Sequence, residues 1–230
     1  MSTSILRVGL CGVGTVGLAT VHILRDQSAM LAARCGQTVS ITHVGARREV
    51  PHPDYATARI SRDVMDVARD PDVDVLVELI GGTTVARDLI KLAIEQGKHV
   101  VTANKALIAE HGNELILLAE QAGVQLRFEA AVAGGIPVIK TLREAMAAND
   151  VSEVAGIING TGNFILTEMT TKGRSYEDVL AEAQALGYAE ADPTFDVDGT
   201  DAAHKLVILA SLAFGLPLDA EAPVKQGIHS

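Results

Sequence analysis

The chain has 230 residues, of which 48% are hydrophobic but only 3% aromatic, so aliphatic side chains must fill the core of one large domain or two small ones. The formal net charge is −10 and no cluster of lysine and arginine stands out, which argues against nucleic acid as a partner. No apolar run reaches the roughly 18 residues of a membrane-spanning helix, and the N-terminus lacks the pattern of a signal peptide, so we expect a cytoplasmic protein without a membrane partner. Cys11 and Cys35 both lie early in the chain, which excludes a disulfide framework, a zinc site and an aldehyde mechanism that uses a thiol of the second half.

A glycine-rich loop follows the first apolar run. Residues 5–10 predict a buried strand, and residues 16–33 show the periodicity of a helix. Between them lies a G-x-G-x-x-G motif formed by Gly12, Val13, Gly14, Thr15, Val16 and Gly17. Between a strand and a helix, this motif is typical of dinucleotide binding, because the glycines let the backbone approach the pyrophosphate and the helix N-terminus supplies unpaired N–H groups. The alternative is a tight turn that holds no ligand.

The end of the second predicted strand indicates which dinucleotide is bound. Residues 39–45 predict this strand, and a NAD-binding protein usually has an acidic residue just after it to accept hydrogen bonds from the ribose. Here Ala46 is followed by Arg47 and Arg48, and two guanidinium groups suit the 2′-phosphate of NADP. We therefore expect NADP to be preferred over NAD, unless both arginines merely solvate a loop.

Three further strands alternate with helices, after a loop predicted at Pro51 and Pro53. The predicted strands are 73–80, 99–102 and 124–129, and the predicted helices are 63–69, 84–96 and 107–122. This alternation predicts a Rossmann-type doubly wound parallel sheet over residues 1–130. Gly81, Gly82 and Lys105 follow strands at the edge where such sheets bind ligands, so we expect them to converge with the glycine loop. A lone lysine at a strand end is often structural, but this convergence favours a role in the site.

The second half of the chain predicts another domain, of α+β class, over residues 131–230. A small, glycine-rich loop at residues 130–137 offers backbone carbonyl groups that suit a hard cation, and it leads into a helix that ends at about residue 148. Residues 151–159 predict a strand of a second sheet. Residues 164–172 and 176–186 predict two helices.

The stretch 186–205 holds five carboxylates and ends on a lysine. Gly187 is expected to end a helix, the acidic run after Pro193 to form a loop, and Thr200 to N-cap a helix that extends to about residue 214. Asp201 and Lys205 lie four residues apart, and therefore roughly 40° apart around the helix axis. Their side chains can touch.

The pair of Asp201 and Lys205 has two interpretations. Pairs at this spacing are commonly solvated salt bridges that contribute about 0.3–0.5 kcal/mol. The rest of the helix is nearly all apolar, however, which predicts burial on most sides and places the pair at the rim of a core. Glu190 and Asp196 bring further carboxylates on the preceding loop, where structure alone does not require them. We therefore favour a functional pair.

Motifs in matching order make the chain resemble homoserine dehydrogenase over essentially its whole length. They are residues 12–17, 101–105, 129–137, 156–166 and 186–205, of which the last is the most specific. The resemblance implies a homodimeric enzyme of threonine, methionine and isoleucine biosynthesis. It implies that L-homoserine and L-aspartate 4-semialdehyde are interconverted with NAD(P), and that the second domain binds substrate and forms the dimer.

The resemblance also implies roles for individual residues. Lys205 is implied to donate the proton, Asp201 and Glu190 to bind substrate, and Lys105 to support the active site. Further contacts are implied for Gly160, Thr161 and Tyr188 with substrate, for Gly187 with cofactor, and for Glu129, Val132, Gly134 and Ile136 with sodium, mostly through carbonyl groups. The chemistry agrees, because an ammonium group can stabilise the charge that develops on an aldehyde oxygen and deliver a proton to it.

Two departures from the family pattern affect these expectations. Gly162 stands where the family's Asn-Gly-Thr-Thr-Asn motif has its second threonine, so we expect a looser substrate loop. Family members continue past the position of Ser230, so we also expect a truncated form without an allosteric domain. The alternative function is a non-catalytic, dinucleotide-binding remnant of the same family.

Overall fold

The structure is a computed structural model that describes residues 4–48, Tyr55 and residues 57–228. Two compact units make up the chain, residues 1–131 and residues 132–230. The loop predicted at Pro51 and Pro53 lies outside the described residues. In the described part of the chain, no helix combines the length and the apolarity that are needed to cross a bilayer.

The first unit is built on a sheet of six parallel strands in the order β3-β2-β1-β4-β5-β6. The strands are β1 (Ile5–Cys11), β2 (Thr38–Gly45), β3 (Arg59–Ser61), β4 (Val75–Glu78), β5 (His99–Thr102) and β6 (Leu126–Arg127). Leu10, Leu76 and Val100 are buried, whereas His99 and Val101, which alternate with Val100 and Thr102 along β5, are exposed. The strand order reverses between β1 and β4, as in a Rossmann fold, so the predicted doubly wound sheet is confirmed.

Helices connect these strands. They are α1 (Thr15–Asp26), α2 (Ser28–Cys35), α3 (Val64–Arg69), α4 (Thr84–Glu95) and α5 (Lys105–Ala122), and a 3₁₀ turn (Glu129–Ala131) ends the unit. The predicted single helix over residues 16–33 is wrong, because Gln27 leaves the helical conformation at φ −107° and ψ 14° and separates α1 from α2. Its N–H still bonds the carbonyl of Ile23 at 3.0 Å, so the chain turns without losing that hydrogen bond.

Strand β3 was not predicted from the sequence. It has only three residues, of which Arg59 and Ile60 are exposed, and so it carries no apolar run. It exists because it pairs in parallel with His43–Gly45 of β2. Tertiary pairing rather than local propensity therefore decides this element.

The second unit consists, in its described residues, of helices and irregular segments. The elements are α6 (Val138–Lys140), a π-helix (Thr141–Ala145), α7 (Gly160–Lys172), α8 (Tyr176–Ala185), α9 (Thr194–Val197) and α10 (Thr200–Phe214). Ile165, Val179 and Val197 form a buried cluster that joins α7, α8 and α9. This cluster fixes the loop between α8 and α10, where the acidic residues lie.

Several boundaries in this unit differ from the prediction. Residues 151–159 are not a strand, because they have no partner strand among the described residues of the unit, and an isolated strand cannot satisfy its backbone groups. The helix after Pro137 ends at Ala145 rather than near residue 148. Part of the predicted acidic loop forms the single turn α9. Gly199, not Thr200, is the N-cap of α10, with a left-handed φ of 86°.

Candidate active site

The glycine loop between β1 and α1 has the shape of a phosphate cradle. Gly12 has φ 101°, and a Cβ there would lie 2.5 Å from the carbonyl oxygen of Leu79. A Cβ on Gly17 would lie 2.1 Å from the carbonyl oxygen of Gly12, so the start of α1 must pack directly on the loop. A Cβ on Gly14 would meet nothing within 4 Å, and Thr15 and Val16 beside it are exposed. Steric demand thus explains the first and third glycines, while the second borders open space that can take a pyrophosphate.

The N-terminus of α1 is suited to bind an anion. Gly14 is its N-cap, no side chain caps it, and its first turn contains no acidic residue. The first N–H groups of a helix lack partners inside the helix and carry partial positive charge. The residues present therefore fit the pyrophosphate of a dinucleotide.

Arg47 and Arg48 lie where the sequence places them, just after β2. Ala46 is buried and its N–H bonds the carbonyl of Ser61 at 3.0 Å, whereas both arginines are exposed. The strand end is thus fixed by β3 while the guanidinium groups remain accessible. This placement suits binding of a phosphate by both arginines.

A buried carboxyl group that the sequence analysis did not identify organises the ends of β4 and β5. Glu78 is fully buried and accepts hydrogen bonds from the N–H groups of Ile80 and Gly81, at 2.8 and 3.2 Å, and from the Thr102 hydroxyl at 2.5 Å. It therefore holds the loop after β4 against the end of β5. An acidic residue within an apolar run, three residues before a double glycine, was the available signal.

Gly81, Gly82 and Lys105 meet at this edge of the sheet. Both glycines have φ 72°, and the Asn104 amide donates a 2.7 Å hydrogen bond to the carbonyl of Gly82. Asn104 also N-caps α5 by accepting from Leu107 N–H at 3.1 Å, which makes Lys105 the first residue of that helix. Lys105 is thus half-buried beside the double glycine.

Cys11 lies at the end of β1 and is buried. Burial, reinforced by the charge of Glu78, raises the pKa of its thiol well above the ordinary value, so the thiol stays protonated. A protonated, buried thiol is no nucleophile.

A cavity of about 450 Å³ lies in the second unit. Its lining combines two carboxylates, one ammonium group, one amide, two aromatic rings and a helix start: Asp196, Asp201, Lys205, Asn159, Phe164, Tyr188, Gly160 and Thr161. The volume and the few convergent polar groups are those of a small-molecule site. Asp196 belongs to α9, Asp201 and Lys205 to α10, and the others lie at or just before the start of α7, except Tyr188, which follows α8.

Asp201 and Lys205 form the predicted contact across one turn of α10. Lys205 Nζ lies 2.6 Å from Asp201 Oδ2 and also donates to the carbonyl oxygen of Ile158 at 2.7 Å. Their side chains are only 8% and 17% exposed, respectively. The pair is therefore not a solvated salt bridge, whose contribution would be small. Both side chains line the cavity, as a functional pair requires.

Asn159 joins three parts of this site and was not identified from the sequence. Its Nδ2 donates to Asp196 Oδ1 at 2.8 Å and to Asp201 Oδ2 at 2.7 Å. Its Oδ1 accepts from Gly162 N–H at 2.6 Å and so caps α7. The side-chain amide of Asn159 thus fixes Asp196 and Asp201 relative to α7, whose first residues also line the cavity. The Asn-Gly-Thr-Gly sequence before an apolar run was a usable capping signal.

The structure places only some of the remaining predicted site residues at the cavity. The Thr161 hydroxyl donates to the carbonyl of Tyr188 at 2.6 Å, and the Tyr188 ring packs edge-on against Phe164 with centroids 5.2 Å apart. Gly187 has φ 74° and follows the last residue of α8, as a C-terminal glycine should. Glu190 is exposed and is not among the residues that line the cavity. The carboxylate next to Asp201 in the site is that of Asp196.

The residues of the implied sodium site are placed as follows. Glu129 begins the 3₁₀ turn that ends the first unit. Val132 is buried, and Gly134 and Ile136 belong to the turn before α6, in which Ala133 and Gly135 have left-handed φ angles of 51° and 88°. No cluster of three or more metal-binding side chains occurs in the described part of the chain, so a site here would depend on carbonyl groups. The sodium site stays a prediction.

Two family models cover nearly the whole chain. The NAD-binding domain of homoserine dehydrogenase matches residues 12–129, and the homoserine dehydrogenase domain matches residues 137–230. The chain belongs to the homoserine dehydrogenase family. The resemblance of its motifs to this family is therefore confirmed. So is the assignment of an NAD-binding domain to the Rossmann sheet.

Curated homoserine dehydrogenases are similar to the chain at high identity. The protein of Pseudomonas aeruginosa is 58% identical over 97% of this chain and 51% of its own length, and that of Neisseria gonorrhoeae is 50% identical over 97% and 52%. The chain thus spans about half the length of the curated homoserine dehydrogenases that it matches.

Solved homoserine dehydrogenases share the fold. The crystal structure of the enzyme from Thiobacillus denitrificans has a TM-score of 0.92 at 49% identity, over 99% of this chain and 53% of that one. A hyperthermophilic archaeal homoserine dehydrogenase in complex with NADPH has a TM-score of 0.82 at 26% identity, over 93% of this chain and 71% of that one.

Proposed function

We propose that the protein interconverts L-homoserine and L-aspartate 4-semialdehyde with NADP(H). The observation that carries this proposal is the cavity in which Lys205 and two carboxylates converge. An amino-acid aldehyde presents one ammonium group, one carboxylate and one reactive oxygen. Asp196 and Asp201 suit the ammonium group and Lys205 suits the reactive oxygen, so two of the three polar groups of the substrate have partners in the cavity.

Lys205 is held in a position to move a proton. Two of its three N–H donors bond Asp201 and the carbonyl of Ile158, which leaves donor capacity for one more acceptor. A bound nicotinamide supplies the hydride. As negative charge develops on the aldehyde oxygen, the Lys205 ammonium stabilises it and delivers a proton to that oxygen. Asp201 keeps the ammonium oriented throughout.

NADP is proposed as the preferred cofactor, held by the glycine loop and by the arginines after β2. Arg47 and Arg48 are exposed where a carboxylate would select NAD, and the archaeal relative was solved with NADPH. Lys105, Gly81 and Gly82 are proposed to line the same edge. Function as a cytoplasmic homodimer with a bound monovalent cation is proposed from the family resemblance alone.

The test is reduction of NADP⁺ by L-homoserine with the 230-residue protein, followed by absorbance of NADPH. Lys205→Ala should lower turnover by about 10²–10⁴-fold, the range of a positioned general acid. Lys225→Ala is the matched control, because Lys225 is exposed and contacts only the Thr200 hydroxyl, at 3.4 Å, in the described hydrogen-bond network. Near-normal turnover of Lys205→Ala would refute the assignment.

A second candidate is a dinucleotide-binding protein of the family that lacks catalysis, which the match of residues 12–129 to an NAD-binding domain supports equally well. It predicts that NADP binds but that L-homoserine produces no NADPH. The same assay, combined with a titration of NADP, separates the two candidates.

A further inference from the structure

A second polar cluster lies in the first unit, on the face of the sheet that α3 covers. His43 of β2 and Arg59 of β3 are paired in register, and Ser61 follows Arg59 by two residues, so all three side chains point to one face. Asp70 directly follows α3. None of these residues belongs to the glycine loop or to the cavity of the second unit.

Ser61, His43 and Asp70 form a chain of short hydrogen bonds. His43 Nε2 lies 2.8 Å from the Ser61 hydroxyl oxygen, and His43 Nδ1 lies 2.6 Å from Asp70 Oδ2. A hydroxyl on a histidine whose other nitrogen is oriented by a carboxylate is the arrangement that activates a nucleophile. Such an arrangement is recognised by geometry rather than by order along the chain.

The partners of Asp70 decide which nitrogen of His43 carries the proton. Burial acts to raise the pKa of Asp70, but the N–H of Asp72, the hydrogen bond from His43 and the charge of Arg59 together hold it below its ordinary value. Asp70 is therefore a carboxylate and accepts from His43 Nδ1–H. In the neutral imidazole, Nε2 then has its lone pair toward the Ser61 hydroxyl, which is the tautomer that a general base needs.

Ser61 borders open space rather than a packed core. A cavity of about 320 Å³ is lined by Ser61, His43, Asp70, Asp66 and two arginines, Arg59 and Arg69. The guanidinium groups of Arg59 and Arg69 are 62% and 58% exposed. Arg59 pairs with Asp70 at 3.0 Å and Arg69 with Asp66 at 3.6 Å, but each exposed guanidinium group keeps further N–H donors that can bind an anionic group of a ligand or stabilise negative charge that develops on a carbonyl oxygen.

We propose that Ser61, His43 and Asp70 form a nucleophilic triad that acts on small carboxylic esters bearing a negatively charged group. Ser61 Oγ bonds to the acyl carbon, its proton passes to His43 Nε2, and the ester C–O bond breaks as that proton moves to the leaving alkoxide. Water then attacks the acyl-serine by the reverse route, which releases the acid and restores the hydroxyl. No oxidant, reductant or metal is required.

Two measurements on the full chain test this proposal. A fluorophosphonate probe, with adducts located by peptide mass spectrometry, should label Ser61 at least about tenfold faster than Ser4, whose exposed hydroxyl donates to Gln37 instead of to a histidine. Hydrolysis of 4-nitrophenyl hydrogen succinate should exceed that of neutral 4-nitrophenyl acetate. Arg69→Gln should remove that preference.

The variants keep the test decisive even if one does not fold. His43→Gln should lower the labelling of Ser61 by about 10²-fold or more, since it removes the general base. His43 is buried, so Ser61→Ala is the second variant, and it should abolish ester hydrolysis while NADP binding stays unchanged. Labelling of Ser61 no faster than that of Ser4, or hydrolysis that survives Ser61→Ala, would overturn the proposal.

Discussion

Replacing Asn159 with alanine should destabilise the second unit, because this one amide caps α7 and donates to two carboxylates. Loss of an N-cap costs about 1 kcal/mol. Asp201 is only 7% exposed, so losing a donor to it costs about 2 kcal/mol even though Lys205 remains. Asp196 is half-buried, and water can replace much of its lost bond. The expected change in the free energy of unfolding is about 3 kcal/mol.

Asn159→Asp separates capping from donation. Aspartate caps a helix as well as asparagine does, so the bond to Gly162 N–H is kept. The donor, however, is replaced by a third carboxylate facing Asp196 and Asp201, and like charges at this range repel. The aspartate variant should therefore be at least as unstable as the alanine variant at neutral pH, although its cap is intact.

Urea-induced unfolding followed by circular dichroism gives both free energies. Hydrogen exchange at the amide groups of α7 and α10 then assigns the loss to the second unit, since circular dichroism reports on both units together. If Asn159→Asp unfolded at the urea concentration of the parent protein, capping would be the whole role of Asn159. The account of how the two carboxylates are held would then fail.

Three further predictions concern the first unit. Changing Arg47 and Arg48 to alanine should weaken NADP binding at least about tenfold while NAD binding changes little, because only NADP has the 2′-phosphate; equal losses in a titration would refute the assignment. Gly17→Ala should abolish dinucleotide binding, since its Cβ would lie 2.1 Å from a backbone oxygen of the glycine loop, and unchanged NADP affinity would contradict this. Hydrogen bonds from Arg7 lower the pKa of Asp74, so its stabilisation is present above the unfolded pKa and is lost as the pH falls through the lower folded value. Arg7→Met should reduce this part of the acid dependence in a pH series of melting temperatures without abolishing it, because the backbone N–H of residue 7 still donates to Asp74 Oδ2 at 2.8 Å.

Most of the first unit could be predicted from the sequence because its local signals agree with its tertiary structure. β5 lies at the predicted residues, and the strand, glycine loop and helix around Gly12 follow in the predicted order. Short apolar runs that alternate with helical patterns have few alternatives to the strands of a parallel sheet. The steric demands at Gly12 and Gly17 show why the motif leaves so little freedom.

Elements that depend on a neighbour could not be predicted in the same way. β3 forms because it pairs with β2. Its residues Arg59 and Ile60 are exposed, so it has no apolar run from which a strand could be predicted. Residues 151–159 have the composition of a strand but no pairing partner among the described residues. Composition favoured a strand in the segment without a partner and none in the segment that has one, because it contains no information about which strand lies alongside.

The candidate site shows the same division between local and distant contacts. Asp201 and Lys205 were identified because helical spacing brings them together, whatever else surrounds them. Asn159 lies 42 residues before Asp201 and 37 before Asp196, so no spacing rule connects them. Its position as the cap of α7 was visible in the sequence, but a cap needs only the side-chain oxygen. The amide nitrogen is what binds the two carboxylates, and only the fold determines where that nitrogen points. Asn159 therefore uses one polar atom for local structure and the other for the site. A sequence pattern reveals only the local role of such a residue, so its role in the site is identified last.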